Sequence, residues 1–376
     1  MRIAIDTRFL EKNTPVGYEQ FLLKLFTRLA EQLPAHQFIF ITDKPAATAI
    51  KLPANVKLLQ VRPIAKGPLS WKWWYEVKLP AILRREQAAL LIAASGFCSL
   101  RATVPQYLFV NNVSFLQHPG LYKKSFLQFY SKNLPRFLKK ATAVITFSQA
   151  TRKEILQHFK AATGKVEIIH GAAGELFKPA GDEEKQAVKA EFAKGKEFFL
   201  HTGEAPTQKN LLLLLKAFSL FKKRQQSSMK LLLTGSGVLA DKKFNDSLKT
   251  YKYRDDVVCT GYLPAQTYAS LVAAAYALVY ISQPGGFGMP VMEALQSRVP
   301  AIVPAGWALK ELPADTCLRA NMEEKEQLAE LLMRIYKDEN LRNRLIKSGE
   351  SITWDLQQAT DQLIQLISKA HTTALV

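Results

Sequence analysis

The chain has few of the residues that build metal or disulfide scaffolds. Its three cysteines, Cys98, Cys259 and Cys317, are isolated and odd in number. That argues against a disulfide framework or a thiolate metal cluster and fits a reducing compartment. Six histidines are scattered without ligand spacing, so no metal site is implied. Long apolar runs are missing too. The longest, Ala269 to Ile281, is too short to span a bilayer and divides into helix then strand. Met1-Arg2-Ile3-Ala4-Ile5-Asp6 enters a strand directly, without the apolar core of a signal peptide. A cytoplasmic protein is expected, or one at the inner face of the membrane. Zinc-finger, RNP and basic-zipper patterns are absent, so nucleic acid is not an expected partner. Acid is also scarce: 32 acidic against 51 basic residues leave a net charge of +19. Such a balance favours anionic partners, whether phosphorylated substrates or acidic lipid.

What is present is ordinary globular material, 48% hydrophobic and 22% charged, in a chain long enough for two domains. Short apolar strands alternate with helical patterns, which predicts parallel α/β sheets. In the first half, Ile3–Asp6 is a strand, and Gly17 opens a helix whose apolar residues run from Tyr18 to Leu29. Gly17 either turns its backbone to a ligand or makes a plain turn. Gln37–Thr42, Val56–Val61, Ala89–Ala94, Gln106–Val110, Ala143–Phe147 and Val166–Ile169 follow as strands. Asn111 and Asn112 lie just past one of them, and Ser148 past another. Ligands of open parallel sheets sit beyond the strands' carboxyl ends, which makes these three candidates for a cleft; asparagine also simply favours turns. Thr151 and Glu154 are spaced as a capping box for a helix from Arg152 to Phe159.

Two stretches carry unusual surfaces. Trp71, Trp74 and Tyr75 share a helical face near Lys78, as internal packing or as a platform for lipid or acceptor. Leu121–Lys140 holds six cations and no acid, interleaved with Phe126, Phe129, Tyr130 and Phe137. It reads as a solvated helix with a buried aromatic face or as a contact for an anionic membrane surface.

Gly171, Gly174, Pro179 and Gly181 mark a linker, after which the alternation restarts. Strand Phe198–Thr202 leads through Gly203 and Glu204 to Lys209-Asn210 and an apolar helix. A lysine at that step can meet phosphate as a point charge, although the glycine spacing is not that of a P-loop. The most organised stretch is Leu278–Val303: a strand, the loop Gly285-Gly286-Phe287-Gly288, a helix carrying Glu293 in its first turn, and a second strand. Glycines there let backbone N–H groups approach an anion at a helix start. Glu293 could grip ribose hydroxyls or simply partner the helix dipole.

These motifs resemble the family 4 glycosyltransferases of GT-B fold (glycosyl transferase group 1). The anchors are Thr202-Gly203 with Lys209-Asn210, LLLTGSG, CTGYLPAQTYASLVAAAYALVYIS, GGFGMPVMEAL with VPAIVPAG, ITFSQATRKEI with VEIIHGAAGELFKP, and Trp354. The resemblance covers nearly the whole length. It implies two Rossmann-like domains facing across a cleft: residues 1–175 for the acceptor, residues 176–355 for the nucleotide sugar, and a helix over 356–376 crossing back. It also implies retaining transfer of a hexose from a UDP- or GDP-linked donor to a glycan or lipid-linked acceptor, without metal or other cofactor. Asp-x-Asp, the metal-binding spacing of the other main transferase fold, does not occur. By resemblance Lys209 binds the diphosphate, Glu293 the ribose, and Phe287, Gly288 and Met289 meet sugar and phosphate through their backbones. Gly17, Gly203, Glu204, Gly285 and Gly286 complete the donor side. Asn111 joins Lys209 and Glu293 as a catalytic-site candidate, with Asn112 and Ser148 on the acceptor side. The chain departs from the pattern at Gly285, where the family has a first glutamate, and at Asn111-Asn112, where it often has His-Asp. Glu204 and Gln208 replace residues that are often basic. The alternative these departures leave is a weakened, transferase-like protein that binds sugar nucleotide or partners an active enzyme.

Overall fold

The computed structural model describes residues 1–10, 17–44, 51–203, 208–235, 238, 242–281, 287–305, 311–352 and 355–373. The chain forms two compact units: Met1–Ala172 with Gly285–Phe287 and Trp354–Val376, and Ala173–Pro284 with Gly288–Thr353.

The first unit is built on a parallel sheet of β1 (Arg2–Asp6), β2 (Gln37–Thr42), β3 (Val56–Gln60), β4 (Leu90–Ala93), β5 (Gln106–Phe109), β6 (Ala143–Thr146) and β7 (Val166–Ile168). The spatial order is β3-β2-β1-β4-β5-β6-β7. Every residue of β4, β5 and β6 is buried, the mark of strands covered on both faces. Edge strand β3 is partly exposed. The helix Tyr18–Gln32 buries Phe21, Leu22, Leu25, Phe26 and Leu29 along one stripe. The terminal helix Leu356–Thr373 packs against it. Tyr107 Oη donates to the Leu366 carbonyl at 2.7 Å and Gln32 Nε2 to Gln357 Oε1 at 2.8 Å.

The second unit repeats the plan with β8 (Phe198–Thr202), β9 (Lys230–Thr234), β10 (Val257–Gly261), β11 (Ala277–Val279), β12 (Ala301–Pro304) and β13 (Cys317–Ala320). Its order, β10-β9-β8-β11-β12-β13, is that of the dinucleotide-binding doubly wound sheet. A second core gathers Phe199, Phe218, Phe221, Leu231, Leu233 and Ile302 between sheet and helices.

Several expectations change. The segment read as a linker runs into a helix, Asp182–Ala193, whose Asp182, Glu183 and Glu184 crowd the first turn as the dipole favours. The capping residue of the helix Gln149–His158 is Ser148, not Thr151: Ser148 Oγ accepts from Thr151 N–H at 3.0 Å. Trp74 and Tyr75 are fully buried and Trp71 is half-buried, so their shared face is core. A widened π-helical turn over Trp74–Lys78 lets both rings point inward.

Candidate active site

In an open parallel sheet the connections leave in opposite directions at one point, and the gap beyond the strand ends there takes ligands. In the second unit that point lies between β8 and β11. The loop after β8 carries Gly203 and leads to Lys209; the loop after β11 carries Phe287 and Gly288 and leads to Glu293. Asn210 Nδ2 donates to the Ile281 carbonyl at 2.6 Å and ties the two exits together. Gly288, at φ +80°, caps the helix Met289–Gln296, and Pro290 is its second residue. Glu293 is therefore the fifth residue, one turn deeper than the first turn expected.

Glu293 is 3% exposed. Tyr268 Oη donates to Glu293 Oε2 at 2.8 Å, and Thr202 Oγ1 donates to Tyr268 Oη at 3.2 Å. Burial first, and the Glu293 charge second, hold the Tyr268 phenol well above its ordinary pKa, so it stays a donor. The last residue of β8 is thus wired to the carboxylate. Tyr268 and Thr202 were not singled out in the sequence; the signal was a tyrosine on an otherwise small-residue helix, Ala265–Ala274, preceding β11. Gly235, after β9, has φ +122°, and a Cβ there would meet the Gly203 carbonyl oxygen at 2.5 Å. Only glycine lets these two strand exits close up. His201 on β8 is fully buried with Nδ1 2.9 Å from the Val279 carbonyl, and burial pulls its pKa down to about 4. It is a neutral imidazole that donates across the β8–β11 seam.

Lys209 is the second residue of the helix Gln208–Gln225, and its Nζ lies 2.7 Å from Glu323 Oε1. Both side chains are largely exposed, at 69% and 73%. The ion pair holds Glu323 below its ordinary carboxylate pKa. An exposed pair of this kind is readily exchanged, so Lys209 is available to another anion at the helix start. Phe287 and Met289 are buried, and a Cβ on Gly171 would lie 2.6 Å from the Phe287 ring. The Phe287 side chain is committed to packing. Glu204, Gly285 and Gly286 lie outside the described residues.

In the first unit the switch point lies between β1 and β4. A cavity of about 190 Å³ opens there, lined by Phe9 after β1, Ser95 and Gly96 after β4, Asn111 and Asn112 after β5, and rings including Tyr18, Phe115 and Tyr122. Asn111 Oδ1 is buried with no hydrogen-bond partner among the described residues. Asn112 does turn work instead: its Oδ1 accepts from Ser114 N–H at 3.0 Å and Ser114 Oγ at 2.6 Å. Ser148, 2% exposed, is engaged as the helix cap. The structure therefore places Asn111 in the cavity lining with a buried acceptor that has no partner among the described residues, and gives Asn112 and Ser148 local structural roles. Gly17 caps the helix Tyr18–Gln32 at φ +53° with nothing within 4 Å of a built Cβ. Beneath the cavity, Asp6 accepts from Tyr75 Oη at 2.8 Å and Arg8 pairs with Asp43 at 3.0 Å under the Trp74 ring. This buried ionic cluster was invisible in the sequence because its partners come from the exits of β1 and β2 and from the turn Trp74–Lys78.

Two doubly wound parallel sheets, one with a lysine, a glycine-rich helix start and a buried glutamate at its switch point, define the chain as a GT-B-type transferase fold. The profile described as Glycosyl transferases group 1 matches residues 182–352, and that of Glycosyltransferase Family 4 matches residues 17–172. The chain belongs to these glycosyltransferases. It is 22% identical over 250 residues to the O-antigen chain mannosyltransferase B of Escherichia coli, covering 65% of this chain and 66% of that one. It is 25% identical over 190 residues to the mannosylfructose-phosphate synthase of Agrobacterium fabrum, covering 48% and 42%. These matches span less than two thirds of either relative. Among solved structures, the sucrose-phosphate synthase of Thermosynechococcus elongatus superposes with a TM-score of 0.77 at 16% identity, covering 99% of each chain. WaaG, a glycosyltransferase of lipopolysaccharide biosynthesis, gives 0.76 at 15% identity, covering 96% and 99%. HepE of Anabaena, solved with UDP and glucose, gives 0.72 at 15%, covering 98% and 99%.

Proposed function

We propose that the protein is a retaining glycosyltransferase that moves a hexose from a nucleoside-diphosphate donor to a glycan or lipid-linked acceptor, in the cytoplasm or at the inner face of the membrane. What supports this reading is that the exits of β8 and β11, neighbours at the switch point, lead to Lys209 and to Gly288 and Glu293. A nucleoside diphosphate presents a chain of negative charge and two vicinal hydroxyls, and the site offers a cation, helix-start N–H groups and a fixed acceptor carboxylate. Gly203, Phe287 and Met289 contribute backbone, and the loop residues Glu204, Gly285 and Gly286 belong to the same proposal. No metal is needed in this scheme, because Lys209 and the helix start meet the charge that develops on the departing diphosphate.

In the reaction the bond from the anomeric carbon to the diphosphate oxygen breaks, and the bond to the acceptor oxygen forms on the same face. The acceptor's proton passes to a donor phosphate oxygen, so no side-chain base is required. Asn111 cannot act as a base; its amide, which lines the first unit's cavity, accepts a hydrogen bond from a hydroxyl brought there once the side chain turns its buried oxygen outward. The mannosyltransferase and synthase relatives favour mannose or glucose as the sugar. Release and transfer of radiolabel from a panel of UDP- and GDP-sugars, offered with a lipid extract as acceptor, tests the proposal. Transfer from one donor is expected; nucleotide affinity without turnover of any donor would overturn it. That second outcome is what the alternative of a non-catalytic binder predicts, and Gly285 and Asn111, standing where the family has an acid and often an imidazole, are its support.

A further inference from the structure

We infer that the turn-and-helix segment from Ile64 to Arg85 docks the protein on an anionic lipid bilayer, inserting the side chains of Leu69, Trp73 and Val77. The helix Pro68–Trp73 and the π-turn Trp74–Lys78 send Trp74 and Tyr75 into the core. The opposite face is left with large apolar groups in water: Leu69 is 86% exposed, Trp73 39% and Val77 46%. They recur every four residues and form one stripe. A folded chain gains nothing internally from exposing them, and contiguous apolar surface rimmed by charge marks an interaction site.

The charge around the stripe identifies what covers it. Lys66, Lys72, Arg84 and Arg85 are exposed, and Lys78 Nζ sits 5.1 Å over the Trp73 ring. The segment's one acid and the one just past it are occupied: Glu76 accepts from the Leu100 N–H at 3.1 Å, and Glu86 is paired with Lys57 and Arg85. Trp71 packs on Phe126 and Phe129 of the neighbouring helix Lys124–Lys140, which carries exposed Lys124, Lys132, Arg136 and Lys139 and no acid. Cations of one sign beside a narrow apolar stripe fit acidic headgroups above acyl chains, with Lys78 and Trp73 at the level where amphipathic side chains settle. A stripe of three side chains is too small for the area a stable protein interface buries. Of the two faces singled out in the sequence, the Trp74–Tyr75 face is core and the Lys124–Lys140 helix supplies charge; insertion belongs to residues neither reading named. The inference deepens the membrane-face part of the proposal above, and vesicle binding is measured apart from transfer, so the failure of one is distinguishable from the failure of the other.

The test is sedimentation of the full chain with vesicles of pure phosphatidylcholine and of phosphatidylcholine with a quarter phosphatidylglycerol. Binding to the acidic vesicles is expected, at least tenfold stronger than to neutral ones. L69Q/W73Q/V77Q should lower it at least tenfold, and each of K124Q, K132Q and K139Q about fivefold or less, with circular dichroism unchanged. As a check independent of those variants, brominated lipid should quench the tryptophan fluorescence of the wild type, and W73F should bind as well but lose most of the quenching. Equal binding to neutral and acidic vesicles, undiminished binding by the triple variant, or unchanged quenching in W73F would overturn the inference. So would a dimer in solution that the triple variant dissociates, since a second copy would then be the occupant.

Discussion

Glu293 is a carboxylate held at 3% exposure by a tyrosine hydroxyl at 2.8 Å. Removing that donor, by Tyr268→Phe, leaves a buried acceptor short of a partner and should cost about 1–3 kcal/mol in urea unfolding. The same change should weaken nucleotide binding, because the carboxylate loses its fixed position. Lys209 behaves differently, being exposed and shared with Glu323. Glu323→Gln frees the cation, so nucleotide affinity should rise about two- to threefold at low salt, with the gain shrinking as salt screens the original pair; an affinity that falls would show Glu323 to be part of the binding surface. His201 carries a pH signature. Its pKa in the fold is about 4, below the ordinary 6.5, so the unfolded chain takes the proton first as pH falls. Its contribution is complete above about pH 6.5, declines down to about pH 4 and then levels, a loss of about 3 kcal/mol. Measured against His201→Gln, which keeps a donor for Val279 and does not titrate, the stability difference should shift by that amount across this window and be flat above it.

At the scale of elements, the glycines set how strand exits meet. Gly235→Ala puts a methyl into the Gly203 carbonyl at a backbone angle unfavourable to side chains. It should destabilise the second unit by about 1–3 kcal/mol and loosen nucleotide binding, both visible in one thermal-shift titration. Ser148→Ala removes a helix cap and should cost about 1 kcal/mol without touching nucleotide affinity. What was legible in the sequence follows the same physics. Buried parallel strands are short apolar runs, so β1, β2 and β8 could be read almost to the residue. The helix Asp182–Ala193 could not, because glycines and a proline just before it read as linker and its apolar stripe is thin, with Val188 and Ala193 its buried apolar residues. The helices that carry Lys209 and Glu293 were legible because periodicity marks them, although Glu293 lies one turn deeper than the helix start read for it. Tyr268, Thr202 and the Asp6–Arg8–Asp43 cluster were not, because their partners are brought together only by sheet order. Ser148, Trp74 and Tyr75 show the limit from the other side: residue type suggested a ligand surface, and packing used them for structure.

Across the whole molecule, each unit is a doubly wound sheet with ligand-competent groups at its own switch point, and the chain's charge of +19 surrounds both with a field that draws anions. Hydrogen exchange with saturating nucleotide should therefore protect the second unit selectively, at Gly203, Lys209 to Leu211 and Gly288 to Glu293, and leave β1 to β7 unchanged. The account turns on the claim that Lys209 and Glu293 hold one nucleoside diphosphate. Isothermal titration of UDP and GDP into the wild type, Lys209→Ala and Glu293→Gln measures this directly. One of the nucleotides should bind the wild type and lose at least tenfold in affinity to each variant, Lys209→Ala losing the diphosphate's contribution, so that the nucleoside alone binds the wild type and Lys209→Ala alike and Glu293→Gln more weakly. Affinities unchanged by both substitutions, or no binding of either nucleotide to the wild type, would contradict it.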